Sequence, residues 1–199
     1  MNISIAGATR EEYKMVTREE AVESMDKVLE YLSRGESKVR PDMEKTPERY
    51  IKAMEEMTTP IEFSYTSFDN PNKEDKGMVV QGPINFISNC CHHLYAFQGQ
   101  AWVAYIPGEK IVGLSKLARC VKETSKRFGV QEEITNDIAA ILEKELKPLG
   151  VAVYMKATHG CMAWRGVKCS EANTITTKFT GAFKDNLNTR QEFLSYIGK

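Results

Sequence analysis

GMVVQGPINFISNCCHHLYAFQGQAWVAYIPG, residues 77–108, contains no Asp, Glu, Lys or Arg. The stretch is long enough to cross a bilayer. Gln81, Pro83, Asn85, Asn89, His92, His93, Gln98 and Gln100 interrupt it, however, and polar residues at that density disfavour a membrane span. The better reading is two buried strands, 79–88 and 98–106, on either side of a Cys- and His-rich centre, with Pro107-Gly108 as the closing turn.

Upstream, residues 1–16 read as a loose arm. Thr17 and Glu20 then form a T-x-x-E capping box, in which hydroxyl and carboxylate each take a backbone N–H at a helix start. Val22, Met25, Val28, Leu29 and Leu32 follow at helical spacing and Gly35 ends the run. Residues 36–45 are polar and read as a loop. Thr46-Pro47 opens a second helix, with proline where its missing N–H costs nothing; Ile51, Met54 and Met57 form its stripe and Pro60 stops it. Residues 61–77 read as a surface connection.

Downstream, helices are predicted over 114–127, with Leu114, Leu117, Ala118 and Val121 inward, and over 132–146, with Ile134, Ile138, Ile141 and Leu142 inward. Val151, Val153, Met155 and Ala157 alternate as in a half-buried strand. A further strand is expected over 174–180 and a short helix over 190–197. Strands come in consecutive pairs, which points to α+β architecture: an antiparallel sheet with helices on one face. The chain divides into an N-terminal helical arm, 1–60, and a sheet-bearing domain, 61–199. A small sheet leaves open edges, so association through them is expected.

Lys plus Arg and Asp plus Glu both total 27, giving zero formal charge. That argues against a non-specific nucleic-acid binder, which carries excess positive charge. Hydrophobic residues make up 42%, too many for a disordered chain. The N-terminus MNISIAGATR lacks a basic region followed by an apolar core, so no signal peptide is expected. Five cysteines without disulfide-framework spacing fit thiols or metal ligands in a reducing cytoplasm.

All three histidines lie within two residues of a cysteine, in Cys90-Cys91-His92-His93 and His159-Gly160-Cys161. A lone Cys or His is most often a core residue; two such clusters at strand ends that can meet suggest a metal. Zinc fits best, because it favours thiolate and imidazole and is redox-inert. One Cys and one His from the first cluster plus Cys161 would leave an open, catalytic position, with the remaining histidines free for proton transfer. Spacing alone does not say which side chain takes which role, and adjacent strand residues point to opposite sides, so binding by residues 90–93 requires a turn. Lys116, Arg119, Lys122 and Lys126 recur at helical spacing, as a solvated face does. With Gly113-Leu114-Ser115 at the helix start they also suit a phosphate. Gln131-Glu132-Glu133 reads either as an ordinary acidic helix start or as an acceptor for a purine or pterin edge. Arg165 is either a surface residue or a phosphate fork.

Taken together, the motifs resemble the GTP cyclohydrolase I family. Ser88 to Phe97, S-N-C-C-H-H-L-Y-A-F, is similar to the family's S-x-C-E-H-H-x-x-P-F. Tyr105-Ile106-Pro107, then 111–116 with Arg119, resemble its Y-I-P and V-I-G-L-S-K-x-x-R. Val130-Gln131-Glu132 with Thr135 resembles V-Q-E-R-L-T, and 159–166 resembles H-x-C-M-x-x-R-G. The resemblance implies the tunnelling fold, an antiparallel ββααββ unit assembled into a ring and stacked as a homodecamer, with active sites between subunits. It implies conversion of GTP and water to 7,8-dihydroneopterin triphosphate and formate. It further implies Zn2+ on Cys90, His93 and Cys161, and proton transfer by His159 and His92. Gln131 and Glu132 would hold the guanine edge, and Ser115, Lys116, Arg119 and Arg165 the triphosphate and ribose region. Cys91 departs from the pattern, standing where the family usually has Glu. That departure motivates two alternatives: a divergent member with another purine nucleotide or an incomplete reaction, or a non-catalytic zinc-binding ring. Neither nucleic acid nor membrane is expected as a partner.

Overall fold

In the computed structural model, residues 15–71, 74 and 77–198 are described; nearly all of the expected arm at 1–16 lies outside them. The chain separates into two compact units, Met1–Glu56 and Met57–Lys199. In the first, α1 (Arg18–Leu32) starts at the expected box: Glu20 N donates to Thr17 Oγ1 at 3.1 Å, and Thr17 N to Glu20 Oε2 at 2.7 Å. The expected loop contains two single 3-10 turns, Glu36–Lys38 and Pro41–Met43, and α2 (Thr46–Thr58) follows with Pro47 in its first turn.

The second unit is built on β1 (Ser67–Asp69), β2 (Val79–Cys90), β3 (Ala96–Ile106), β4 (Lys110–Val112), α3 (Leu114–Thr124), β5 (Phe128–Gly129), α4 (Gln131–Leu146), β6 (Gly150–His159), α5 (Gly160–Ala163), β7 (Thr174–Phe179), α6 (Ala182–Asp185) and α7 (Leu187–Tyr196). Five strands form one sheet in the order β5-β2-β3-β6-β7, antiparallel except where β5 runs parallel to the end of β2. β1 and β4 form a separate antiparallel pair.

Side chains alternate across the sheet as the two-residue period requires. On one face, Ile84, Phe86, Phe97, Ala101, Val103, Val151, Val153 and Met155 pack with Leu117 and Val121 of α3 and Ile134, Ile138 and Leu142 of α4. Each large aliphatic so buried contributes about 1.5–3 kcal/mol. On the opposite face, Ala104, Ala152 and Tyr154 pack with Phe183 of α6 and Phe193 of α7. The expectation of helices on one face therefore holds for α3 and α4 only. The same covering corrects the reading of β6 as half-buried: Val151 to Met155 are all buried, because α6 and α7 close over Ala152 and Tyr154.

Gly99 sits where β3 and β6 approach closely, paired with Ala157. A Cβ there would overlap the Lys156 carbonyl oxygen and lie 2.6 Å from Ala157 Cα. Both obstacles are backbone, so neither can rotate away. Gly99→Ala is expected to destabilise by about 1–3 kcal/mol, lowering Tm by about 2–4 °C per kcal/mol at this size. Thermal unfolding against wild type checks this; an unchanged Tm contradicts the close packing.

Candidate metal centre and active site

The register between β3 and β6 pairs Phe97 with His159, so both Cys/His clusters come to the same end of the sheet. Cys90 closes β2 and is buried. The chain then turns at once: Leu94 N donates to Cys90 O at 2.8 Å and Cys90 N to Tyr95 O at 2.9 Å, with Leu94 in the left-handed region at φ 59°. This is the turn that the adjacent cysteines and histidines require, and it brings His93 back beside Cys90. Cys161 arrives from the other side on α5, a single turn immediately after β6. Gly160 permits that approach, since a Cβ would lie 2.8 Å from Ala96 O and 2.7 Å from the Trp164 ring.

The outcome is that ligand atoms of Cys90, His93 and Cys161 all lie within 4.8 Å of one another, the single such group of three among the described residues. Two sulfurs and one imidazole nitrogen at that spacing suit a borderline-soft divalent cation with room for a further ligand. Burial first, and then the neighbouring Cys90 sulfur, push the Cys161 thiol above its ordinary pKa. A cation there would reverse that preference by binding thiolate. His92 lies beside the group, exposed, with Nδ1 3.6 Å from Cys90 Sγ. Cys91 is exposed in the turn, and its N–H donates to Gly129 O at 3.2 Å. β5 thereby ties this turn to the start of α4.

His159, the last residue of β6, stacks on buried Phe97, with ring centroids 4.4 Å apart and planes at 2°. Burial lowers its pKa, and the Glu132 carboxylate opposes that shift. His159 Nε2 and Gln131 Oε1 are 2.8 Å apart. Gln131 itself is 0% exposed. Its Nε2 donates to Met155 O at 3.3 Å, Thr174 O at 3.2 Å and Thr176 Oγ1 at 3.1 Å. The Gln131 side chain, expected beside Glu132 at the guanine edge, is thus enclosed, with its amide group bonded within the protein. Glu132 is exposed in the first turn of α4. Arg165 is also exposed, just past α5, and near enough for its charge to act on Cys161.

Ser115, Lys116 and Arg119 are not brought to the metal cluster. They lie in the first half of α3, Ser115 and Arg119 exposed and Lys116 partly so. Only the far end of α3 leads to β5 and Cys90. At 1.5 Å per residue, α3 is about 16 Å long. Residue spacing did not single out the Phe97 stack, nor Met155 and Thr176 as partners of Gln131; Thr135 at four residues past Gln131 was the one visible trace, and its hydroxyl donates to Gln131 O at 2.7 Å.

The sequence profile of the GTP cyclohydrolase I family matches residues 21–198. The chain belongs to that family. Among similar proteins, the GTP cyclohydrolase 1 of Sulfurihydrogenibium sp. (strain YO3AOP1) is 48% identical over 163 residues, covering 82% of this chain and 87% of that one. That of Hydrogenobaculum sp. (strain Y04AAS1) is 38% identical over 183 residues, covering 92% and 99%. That of Synechococcus sp. (strain JA-2-3B'a(2-13)) is 43% identical over 166 residues, covering 82% and 72%. The GTP cyclohydrolase I profile spans both Cys/His clusters and both long helices between them.

Protein stripped with chelator and reloaded is expected to take up one divalent ion per chain, measured by elemental analysis. Cys161→Ala should lose that ion while keeping its fold by circular dichroism. Full metal retention in Cys161→Ala contradicts the three-residue site.

Proposed function

We propose that this chain is a zinc-dependent GTP cyclohydrolase I, which opens the imidazole ring of GTP with water and yields 7,8-dihydroneopterin triphosphate and formate. The observation that carries this reading is the Cys90–His93–Cys161 group with His159 beside it, in a chain of this family. Two thiols and an imidazole are a donor set that zinc favours. Zinc, when bound, supplies Lewis acidity and lowers the pKa of a coordinated water.

The chain's own residues do the rest. His159 moves protons to and from the purine nitrogens as the bonds to C8 open, and exposed His92 supports that transfer. The Glu132 carboxylate accepts the N–H donors of the guanine edge. Ser115, Lys116, Arg119 and Arg165 bind the triphosphate and ribose region. The triphosphate does not react, and its binding orients C8 at the centre.

The separation of Ser115, Lys116 and Arg119 from the metal cluster supports a pocket completed by a second copy of the chain. The succession β2, β3, α3, α4, β6, β7 supports a tunnelling-fold domain over 61–199 preceded by a helical arm over 1–60. Five free cysteines support a reducing compartment, the cytoplasm. No helix among the described residues is long and apolar enough to cross a membrane. The open edge of β7 supports closure into a ring, which we read as the homodecamer.

Zinc-loaded protein supplied with GTP is expected to release one formate per GTP and to form a product that fluoresces as neopterin after oxidation. No formate overturns the proposal. His159→Ala should keep its zinc and lose at least about 10²-fold in kcat; full activity contradicts the proton role. Mixing Cys161→Ala with Lys116→Ala chains under conditions that exchange subunits should recover activity absent from either alone. No recovery, with exchange verified by mass, contradicts a shared pocket.

A further inference from the structure

Of the groups around the cluster, the one whose geometry is most constrained is a buried amide. Gln131 Nε2 faces two main-chain carbonyl oxygens, Met155 O and Thr174 O, at 3.3 and 3.2 Å. Carbonyl oxygens only accept hydrogen bonds, so the amide cannot be turned over: Oε1 in that position would oppose two acceptors without a donor between them. Thr176 Oγ1, at 3.1 Å, is satisfied in the same sense. It lies 2.6 Å from Thr135 Oγ1, which donates to Gln131 O. The Thr176 hydroxyl therefore gives its proton to Thr135 and accepts from Gln131.

The orientation of Gln131 settles what lies at its other end. Its Oε1 is an acceptor, so the His159 nitrogen 2.8 Å away is a donor. We propose that Gln131 is the positioning residue of His159: its amide oxygen accepts from Nε2, which holds the ring in place and fixes the neutral imidazole as the Nε2–H tautomer with Nδ1 bare. Among the described residues Nδ1 has no hydrogen-bond partner, and only one ring orientation gives Gln131 Oε1 a donor: a ring turned over in the plane of its stack on Phe97 would set a carbon against that oxygen. Gln131 acts through His159 and does not touch the substrate. The assignment of proton transfer to His159 rests on the ring-opening reading; the tautomer does not.

The test separates the two. Only three histidines are present, so 15N-histidine labelling of the zinc-loaded protein gives three rings by solid-state NMR, with His159→Asn assigning the third. At pH about 8, above the ordinary histidine pKa of about 6.5, His159 is expected to show a protonated Nε2 and a bare Nδ1. A protonated Nδ1 overturns the proposal, whatever the enzyme does with GTP. If the tautomer is as stated and GTP yields no formate, the ring-opening reading fails and the positioning stands. Gln131→Met, which keeps the length and removes the acceptor, is expected to lower kcat about 10–10²-fold with KM for GTP and zinc content unchanged. Gln131→Glu, which restores an acceptor, should recover part of that loss. A raised KM with kcat retained in Gln131→Met would place Gln131 on the guanine instead and overturn the proposal.

Discussion

The pairing of β3 with β6 is the constraint on which the rest depends. Its register, Phe97 with His159 through Ile106 with Gly150, is antiparallel and unbroken. A shift by one residue would turn Val151, Val153 and Met155 away from α3 and α4. It would also move His159 off Phe97 and draw Cys161 away from Cys90. The hydrophobic pattern that secures the core thus also sets the distance between two cysteines that are 71 positions apart in the chain. Gly99 and Gly160 are the points at which this pairing and its continuation into α5 leave no room for a side chain.

Around that pairing, two short segments convert strand ends into a site. The turn after Cys90 lets Cys90 and His93 face one point. β5, only Phe128–Gly129, runs parallel to the end of β2 and delivers the first residue of α4 beneath His159. The side chains at the centre then divide by environment. Gln131 is sealed inside and holds a neighbour, whereas Glu132, one residue further, is exposed and free to meet a ligand. Adjacent residues of one helix turn point in different directions, and here that difference buries one side chain and exposes the next.

Much of this was legible in the sequence. The capping box at Thr17, the stripes of α3 and α4 and the long strands β2, β3, β6 and β7 follow from periods that depend on local chemistry. The Cys/His clusters pointed by their composition to the group of three that could hold a metal. A turn at residues 90–93 was expected from the alternation of strand side chains; its closure through a left-handed Leu94 was not visible, because that conformation carries no residue signature here. β5 escaped notice because two residues have no period. The covering of Ala152 and Tyr154 by α6 and α7 was missed because alternation at Val151, Val153, Met155 and Ala157 reports only one face. The enclosure of Gln131 was not visible, because its amide is held by Met155, Thr174 and Thr176, all distant in sequence.

The central claim is that Cys90, His93 and Cys161 bind one ion together. X-ray absorption at the zinc edge on the reloaded protein tests it directly. Two sulfur ligands at about 2.3 Å and one imidazole nitrogen at about 2.0–2.1 Å are expected, with the rest of the shell oxygen or nitrogen. A shell without sulfur, or with a single sulfur, would contradict it.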